Sequence, residues 1–105
     1  MKELRFKQNS PQGEIKILIR IIGKIIYIKT NNNQYSDNML RQLSSKGAII
    51  IRSRNWLKID LFGNIEIAKL GTYEINLKEE SDKSIEKKIA DFYTEKYISA
   101  NFIPY

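Results

Sequence analysis

A chain of 105 residues with 42% hydrophobic composition suits one compact domain, large enough to bury a core and too short for a second one. The absence of cysteine and histidine excludes disulfides, thiolate or imidazole metal sites and histidine acid/base catalysis. The net charge of +6 is unevenly spread, because residues 1–58 carry twelve Lys/Arg against three acids and residues 59–105 carry six against nine. A basic half of this kind attracts polyanions, nucleic acid above all, although basic residues that merely solubilise an isoleucine-rich domain would give the same composition.

The opening MKELRFKQNS has charges where a signal peptide needs an apolar stretch. The longest apolar run, 15–28, is interrupted by Lys16, Arg20 and Lys24 and is too short for a membrane span. An intracellular, soluble protein of a cytoplasm or organelle stroma is expected. Heavy use of isoleucine, lysine and asparagine is what AT-rich coding sequence produces, as in an organelle, an AT-rich bacterium or a virus.

The segment EIKILIRIIGKIIYIKT, residues 14–30, alternates strongly. Taken as one long strand, it puts Ile15, Ile17, Ile19, Ile21, Ile25 and Tyr27 on a buried face. Lys16, Arg20 and Lys24 then share the other face with Leu18, Ile22, Ile26 and Ile28. Gly23 in its middle suggests a bulge or bend. TNNNQYSDN reads as a polar loop, followed by a short helix capped by Ser36 or Asp37, carrying Met39, Leu40 and Leu43, and stopped at Gly47. A β-rich stretch from 48 to 77 is punctuated by two hairpin-turn signals, FGN at 62–64 and Gly71. The last element, about 81–98, places Ile85, Ile89, Phe92, Tyr93 and Tyr97 at helical spacing behind Ser81 or Asp82, with acids in its first turns. No repeat or interdomain linker is visible, so residues 1–105 form a single domain with a β-rich core at about 14–78 and a carboxyl-terminal amphipathic helix.

The stretch KGAIIIRSRNW, 46–56, holds the only tryptophan. If 48–61 is one strand, Trp56 shares a face with Arg52, Arg54 and Lys58, and a core would not accept three unpaired charges. A flat aromatic among cations is what a single-stranded nucleic acid needs, with a base stacked on the indole and phosphates on the neighbouring charges. Alternatively, RSRN forms a turn, which would break the alternation and could send Trp56 into the core.

These residues carry a resemblance. LSSKGAIIIRSRNW (43–56) resembles the helix end, Lys-Gly turn and fourth strand of the single-stranded DNA-binding (SSB) family, in its small plastid- or cyanobacterial-type form. RIIGK (20–24) resembles the end of that family's third strand, and KELRF (2–6) resembles the segment after its first. The likeness implies an OB-fold, with Arg52, Arg54 and Trp56 at DNA-contacting positions and Lys24 and Lys46 near the same groove. The chain departs from the family in having Lys16 where a tryptophan is usual, Ile22 where a stacking phenylalanine is usual, and a shortened start. That start would leave a sheet edge free to pair with a second copy as a homo-oligomer.

The expected fold is therefore β-rich α+β: an OB-like small barrel or curved antiparallel sheet with a short internal helix and a carboxyl-terminal helix. The expected function is nonenzymatic binding of single-stranded DNA or RNA through Lys24, Lys46, Arg52, Arg54, Trp56 and Lys58. Tyr27 and Phe62 are weaker aromatic candidates. The alternative is a structural subunit of a ribosome-associated or organellar assembly that docks its basic half on RNA or an acidic protein and buries Phe102 and Tyr105 on assembly. No glycine-rich phosphate loop or nucleophile elbow is present, so neither an enzyme nor a cofactor is expected. Glu79, Glu80 and Asp82 read as a favourable helix start in preference to a Mg²⁺ site.

Overall fold

The computed structural model describes residues 1–32, 49–52, 56–61 and 66–105. The internal helix expected between 36 and 46 and the FGN turn lie outside these residues. The described elements are β1 (Lys2–Ser10), β2 (Gly13–Ile22), β3 (Ile25–Thr30), β4 (Ile49–Arg52), β5 (Leu57–Asp60), β6 (Ile67–Leu70), β7 (Tyr73–Asn76), α1 (Asp82–Ser99) and β8 (Ile103–Pro104). Five strands form an antiparallel sheet in the order β4-β5-β3-β2-β1, and the two-residue β8 adds to the free edge of β1. β6 and β7 form a separate hairpin. Among the described residues the main sheet is open, with β4 and β8 as its edges, and does not close into a barrel.

One face of the sheet and the buried side of α1 enclose the core. β2 contributes Ile15, Ile17, Ile19 and Ile21, β3 contributes Ile26 and Ile28, and β5 contributes Leu57 and Ile59. Ile85, Ile89, Ala90, Tyr93 and Tyr97 of α1 belong to the same cluster, as do Ala68, Leu70, Ile75 and Leu77 from the β6–β7 hairpin and the residue that follows its last strand, with α1 lying against β1, β2, β7 and β8. Each fully buried isoleucine side chain stabilises the fold by about 1.5–3 kcal/mol relative to exposure. That apolar face, shared by strands and helix, is what joins the two layers.

Two strand assignments differ from the sequence expectation. Residues 14–30 are not one strand: Ile22 pairs with Ile25, leaving Gly23 and Lys24 as a two-residue hairpin turn. Gly23 has φ +55° and Lys24 is not among the positive-φ residues, the φ signature of a type II′ turn with glycine first. The residues flanking such a turn share a face, so the inward parity switches from odd numbers in β2 to even numbers in β3. Ile26 and Ile28 therefore enter the core, and Tyr27 points outward. Residues 48–61 are likewise two strands, since β4 runs antiparallel to β5 and pairs Arg52 with Leu57 and Ile51 with Lys58.

β1 is a strand that the sequence expectation did not include. It pairs along its whole length with β2, from Lys2 opposite Ile21 to Ser10 opposite Gly13. Phe6 is its one buried side chain and rests on the Tyr97 ring, with centroids 5.2 Å apart.

α1 begins where Ser81 caps it, the Ser81 hydroxyl accepting from the Ser84 N–H at 3.2 Å. It ends in a Schellman motif. Asn101 takes the left-handed conformation, φ 67°, its N–H donates to the Ile98 carbonyl, and the Phe102 N–H donates to the Tyr97 carbonyl at 2.9 Å. Phe102 then packs on Tyr97 at 5.3 Å, and the chain leaves the helix directly into β8.

Just before the helix, Glu80 joins three segments. Its carboxylate accepts from the Ser84 hydroxyl (2.6 Å) and the Asn76 N–H (2.6 Å) and pairs with Lys88 (2.8 Å). The Lys88 ammonium and then the Ser84 hydroxyl hold its carboxyl down at about 2, from an ordinary 4.5, against the opposing effect of burial. The folded state thus favours ionised Glu80. Its contribution is complete above pH 4.5 and disappears as pH falls from there toward 2. Glu80→Gln is expected to cost about 2 kcal/mol at neutral pH and to flatten the acid limb of the stability profile, measured by urea unfolding between pH 2 and 7. An unchanged acid limb would show that other carboxylates set it.

Candidate nucleic-acid interface

The face of the sheet opposite α1 is built by the residues that alternate with the core. It presents Glu3, Arg5 and Lys7 from β1, Lys16, Leu18, Arg20 and Ile22 from β2, Tyr27 and Lys29 from β3, and Lys58 and Asp60 from β5. Cations outnumber acids here, and Glu3 is held between two of them. The Arg20 Nε–H donates to Glu3 Oε1 at 2.9 Å and Arg5 lies 3.6 Å from Oε2, which keeps the Glu3 carboxyl below its usual range, the Arg20 hydrogen bond being the largest cause. Glu3 thereby fixes the position of the Arg20 guanidinium.

Trp56 stands at the start of β5 on this outer face and is half-buried, outside the core cluster. The Arg20 guanidinium lies 5.5 Å and the Lys29 ammonium 5.7 Å from its ring centroid, within cation–π range. Tyr27 meets it edge-on, with centroids 6.3 Å apart and planes at 89°, and Lys58 lies 5.9 Å from the Tyr27 ring. An open concavity of about 580 Å³ is lined here by Met1, Arg20, Ile22, Tyr27, Ile51, Trp56 and Lys58. Its lining combines apolar and aromatic side chains with a guanidinium and an ammonium group. A planar, anionic ligand finds both of its needs in it.

The expected site residues are distributed as follows. Trp56 and Lys58 line the concavity. Lys24 sits at the β2–β3 hairpin tip, where its carbonyl accepts from the Leu61 N–H at 3.0 Å, and it does not line the concavity. Arg52 stands opposite Leu57 in the β4–β5 ladder. The grouping of Arg52 with Trp56 rested on a continuous strand, which the β4–β5 pairing replaces. Lys46 and Arg54 lie outside the described residues.

Arg20 and Lys29 are residues that sequence reasoning left out of the site, and Tyr27 entered it only as a weaker aromatic candidate because the single-strand reading put it on the core face. The signal for them was the pair of isoleucine runs separated by two residues, Gly23-Lys24. Read as a hairpin, that spacing turns Tyr27 and Lys29 onto the Arg20 face.

Other expectations meet the structure elsewhere. Phe102 is already buried within this chain, so it is not waiting for a partner, while Tyr105 is half exposed. Glu80 is committed to its three partners, Glu79 accepts from the Asn76 side chain, and among the described residues no group of three acidic side chains could hold a metal ion. No helix among the described residues is long and apolar enough to cross a membrane. Comparison with protein-family models, with curated proteins and with solved structures finds no match.

Proposed function

We propose that this protein is a nonenzymatic binder of single-stranded nucleic acid, DNA or RNA, which it meets on the outer face of its sheet. One observation carries this: Trp56 lies on the cationic face between Arg20 and Lys29 instead of in the core. A base stacking on the indole or against Tyr27 would gain about 1–3 kcal/mol regardless of its identity. Arg20, Lys29 and Lys58 then lie beside it for the flanking phosphates. Stacking and charge together give affinity without sequence preference, as a sheet face with few directed hydrogen-bond donors should.

A relationship to the SSB family and its OB-fold belongs to the same proposal. A five-stranded antiparallel sheet with a cationic outer face supports it, and the unclosed sheet is what separates the two. Lys46 and Arg54 remain proposed contributors on the strength of the resemblance alone.

The test is a titration of the intrinsic Trp56 fluorescence with a single-stranded oligonucleotide at several salt concentrations. Quenching is expected, with an affinity whose log–log salt slope is near −3, as about four neutralised phosphates on a single strand would give. Emission that ignores oligonucleotides at low salt would overturn the proposal and favour the assembly-subunit alternative.

A further inference from the structure

The outer face contains a second aromatic among cations, at the opposite edge of the sheet from Trp56. The Tyr105 ring lies 5.2 Å from the Lys7 ammonium and 6.0 Å from that of Lys16, and Lys7 and Lys16 are direct cross-strand partners. Tyr105 is 50% exposed, and its N–H donates to the Arg5 carbonyl at 3.0 Å, continuing the β1–β8 ladder by one residue. The Schellman stop of α1 and the β8 pairing thus deliver this ring to the outer face.

The register puts the two aromatics at the ends of one row. Trp56 precedes Leu57, the partner of Ile28, and so stands beside Lys29; Lys29 pairs with Leu18, Leu18 with Arg5, and Arg5 is bonded by Tyr105. The row crosses β5, β3, β2, β1 and the end of β8, four strand spacings of ~4.8 Å, or about 19 Å. Arg20 flanks it on one side and Lys16 on the other. Each end has the same make-up, an accessible ring with two cations against it. Its middle is an apolar side chain between Lys29 and Arg5.

We infer that Tyr105 is a second stacking platform and that a single strand lies across the strands of the sheet along the row Trp56–Lys29–Leu18–Arg5–Tyr105. This rests on the nucleic-acid reading above and specifies its path and length. A stacked strand advancing ~3.4 Å per nucleotide needs about six nucleotides to cover the row, within the ~4–16 known for single-stranded sites on one small domain. A trinucleotide at Trp56 does not reach Tyr105; a hexanucleotide does.

The experiment is fluorescence anisotropy of labelled oligothymidylates of three, four, six, eight and ten residues with the full chain, its Tyr105→Leu variant and its Tyr105→Phe variant. Wild-type affinity is expected to climb with length to about six residues and then level off. Tyr105→Leu is expected to weaken the six-residue and longer ligands about five-fold or more, to leave the trimer unchanged, and to be rescued by Tyr105→Phe, which keeps the ring. If Tyr105→Leu binds every length as the wild type does, or weakens the trimer as much as the decamer, the second platform is overturned while the binding function stands. If the wild type binds none of the ligands, the function itself falls and the platform with it. Because Tyr105 lies outside the core, melting temperatures of the three proteins should agree, which separates lost stacking from a lost fold.

Discussion

Trp56→Ala is expected to weaken the binding of a single-stranded oligonucleotide about ten-fold or more while leaving the fold intact. The affinity loss follows from removing the only indole from a surface where a stacked base is worth ~1–3 kcal/mol, between about five-fold and about 140-fold in dissociation constant. Retention of the fold follows from where Trp56 sits. It lies outside the core cluster, and its contacts among the described residues include an edge-on meeting with Tyr27 and two cations beyond 5 Å. Such contacts contribute about 1 kcal/mol each at a partly exposed site, well short of the total stability of a domain. Arg20 and Lys29 remain after the substitution, so residual binding should keep its salt dependence. Anisotropy with a labelled oligonucleotide gives the affinity, and a circular-dichroism melt gives the stability. Unchanged affinity would remove Trp56 from the site, and loss of the cooperative melt would return it to a structural role.

How much of this was legible in the sequence depends on how far each signal reaches along the chain. The helix was legible because Ile85, Ile89, Tyr93 and Tyr97 fall at successive four-residue steps behind a serine cap, and both signals lie within the element itself. The destination of NFIPY was not legible, since packing Phe102 on Tyr97 and pairing Ile103 with Lys7 is a long-range outcome. The outward placement of Trp56 and Lys58 followed from alternation inside β5. Alternation carried across a chain reversal, as from β2 into β3, assigns the wrong parity. Nothing polar marks the Gly23-Lys24 turn except a lysine, and isoleucines flank it on both sides, so the hairpin is visible only through the positive φ that glycine permits there. β1 was hidden for a different reason. Its inward face carries just Leu4 and Phe6 among charged and polar neighbours, too few apolar positions for a pattern, and its strand character comes from the ladder to β2.

That dependence on a single buried side chain makes Phe6→Ala the substitution with the largest expected effect on stability. Phe6 is 1% exposed and lies under the aromatic group in which Tyr97 also touches Tyr93 and Phe102. Truncating a buried phenylalanine typically costs 3–5 kcal/mol, from lost transfer free energy and from the cavity left behind. Here the cavity would open where β1, α1 and the residue preceding β8 meet, so relaxation to fill it would draw on the sheet edge and the helix end together. A loss of about 4 kcal/mol is a large share of the 5–15 kcal/mol typical of a domain and should lower the melting temperature by roughly 15–30 °C for a chain of this size. Function should follow the packing, since β1 supplies Arg5 and Lys7 to the cationic face and holds β8, which carries Tyr105. The variant, studied well below its melting temperature, is therefore expected to bind long oligonucleotides with a shallower salt slope while its Trp56 quenching persists. Urea unfolding supplies the free energy. A loss under 1 kcal/mol would mean that the β1–β2 ladder holds the edge without Phe6, and an unaltered salt slope would separate the packing of that edge from the charges it presents.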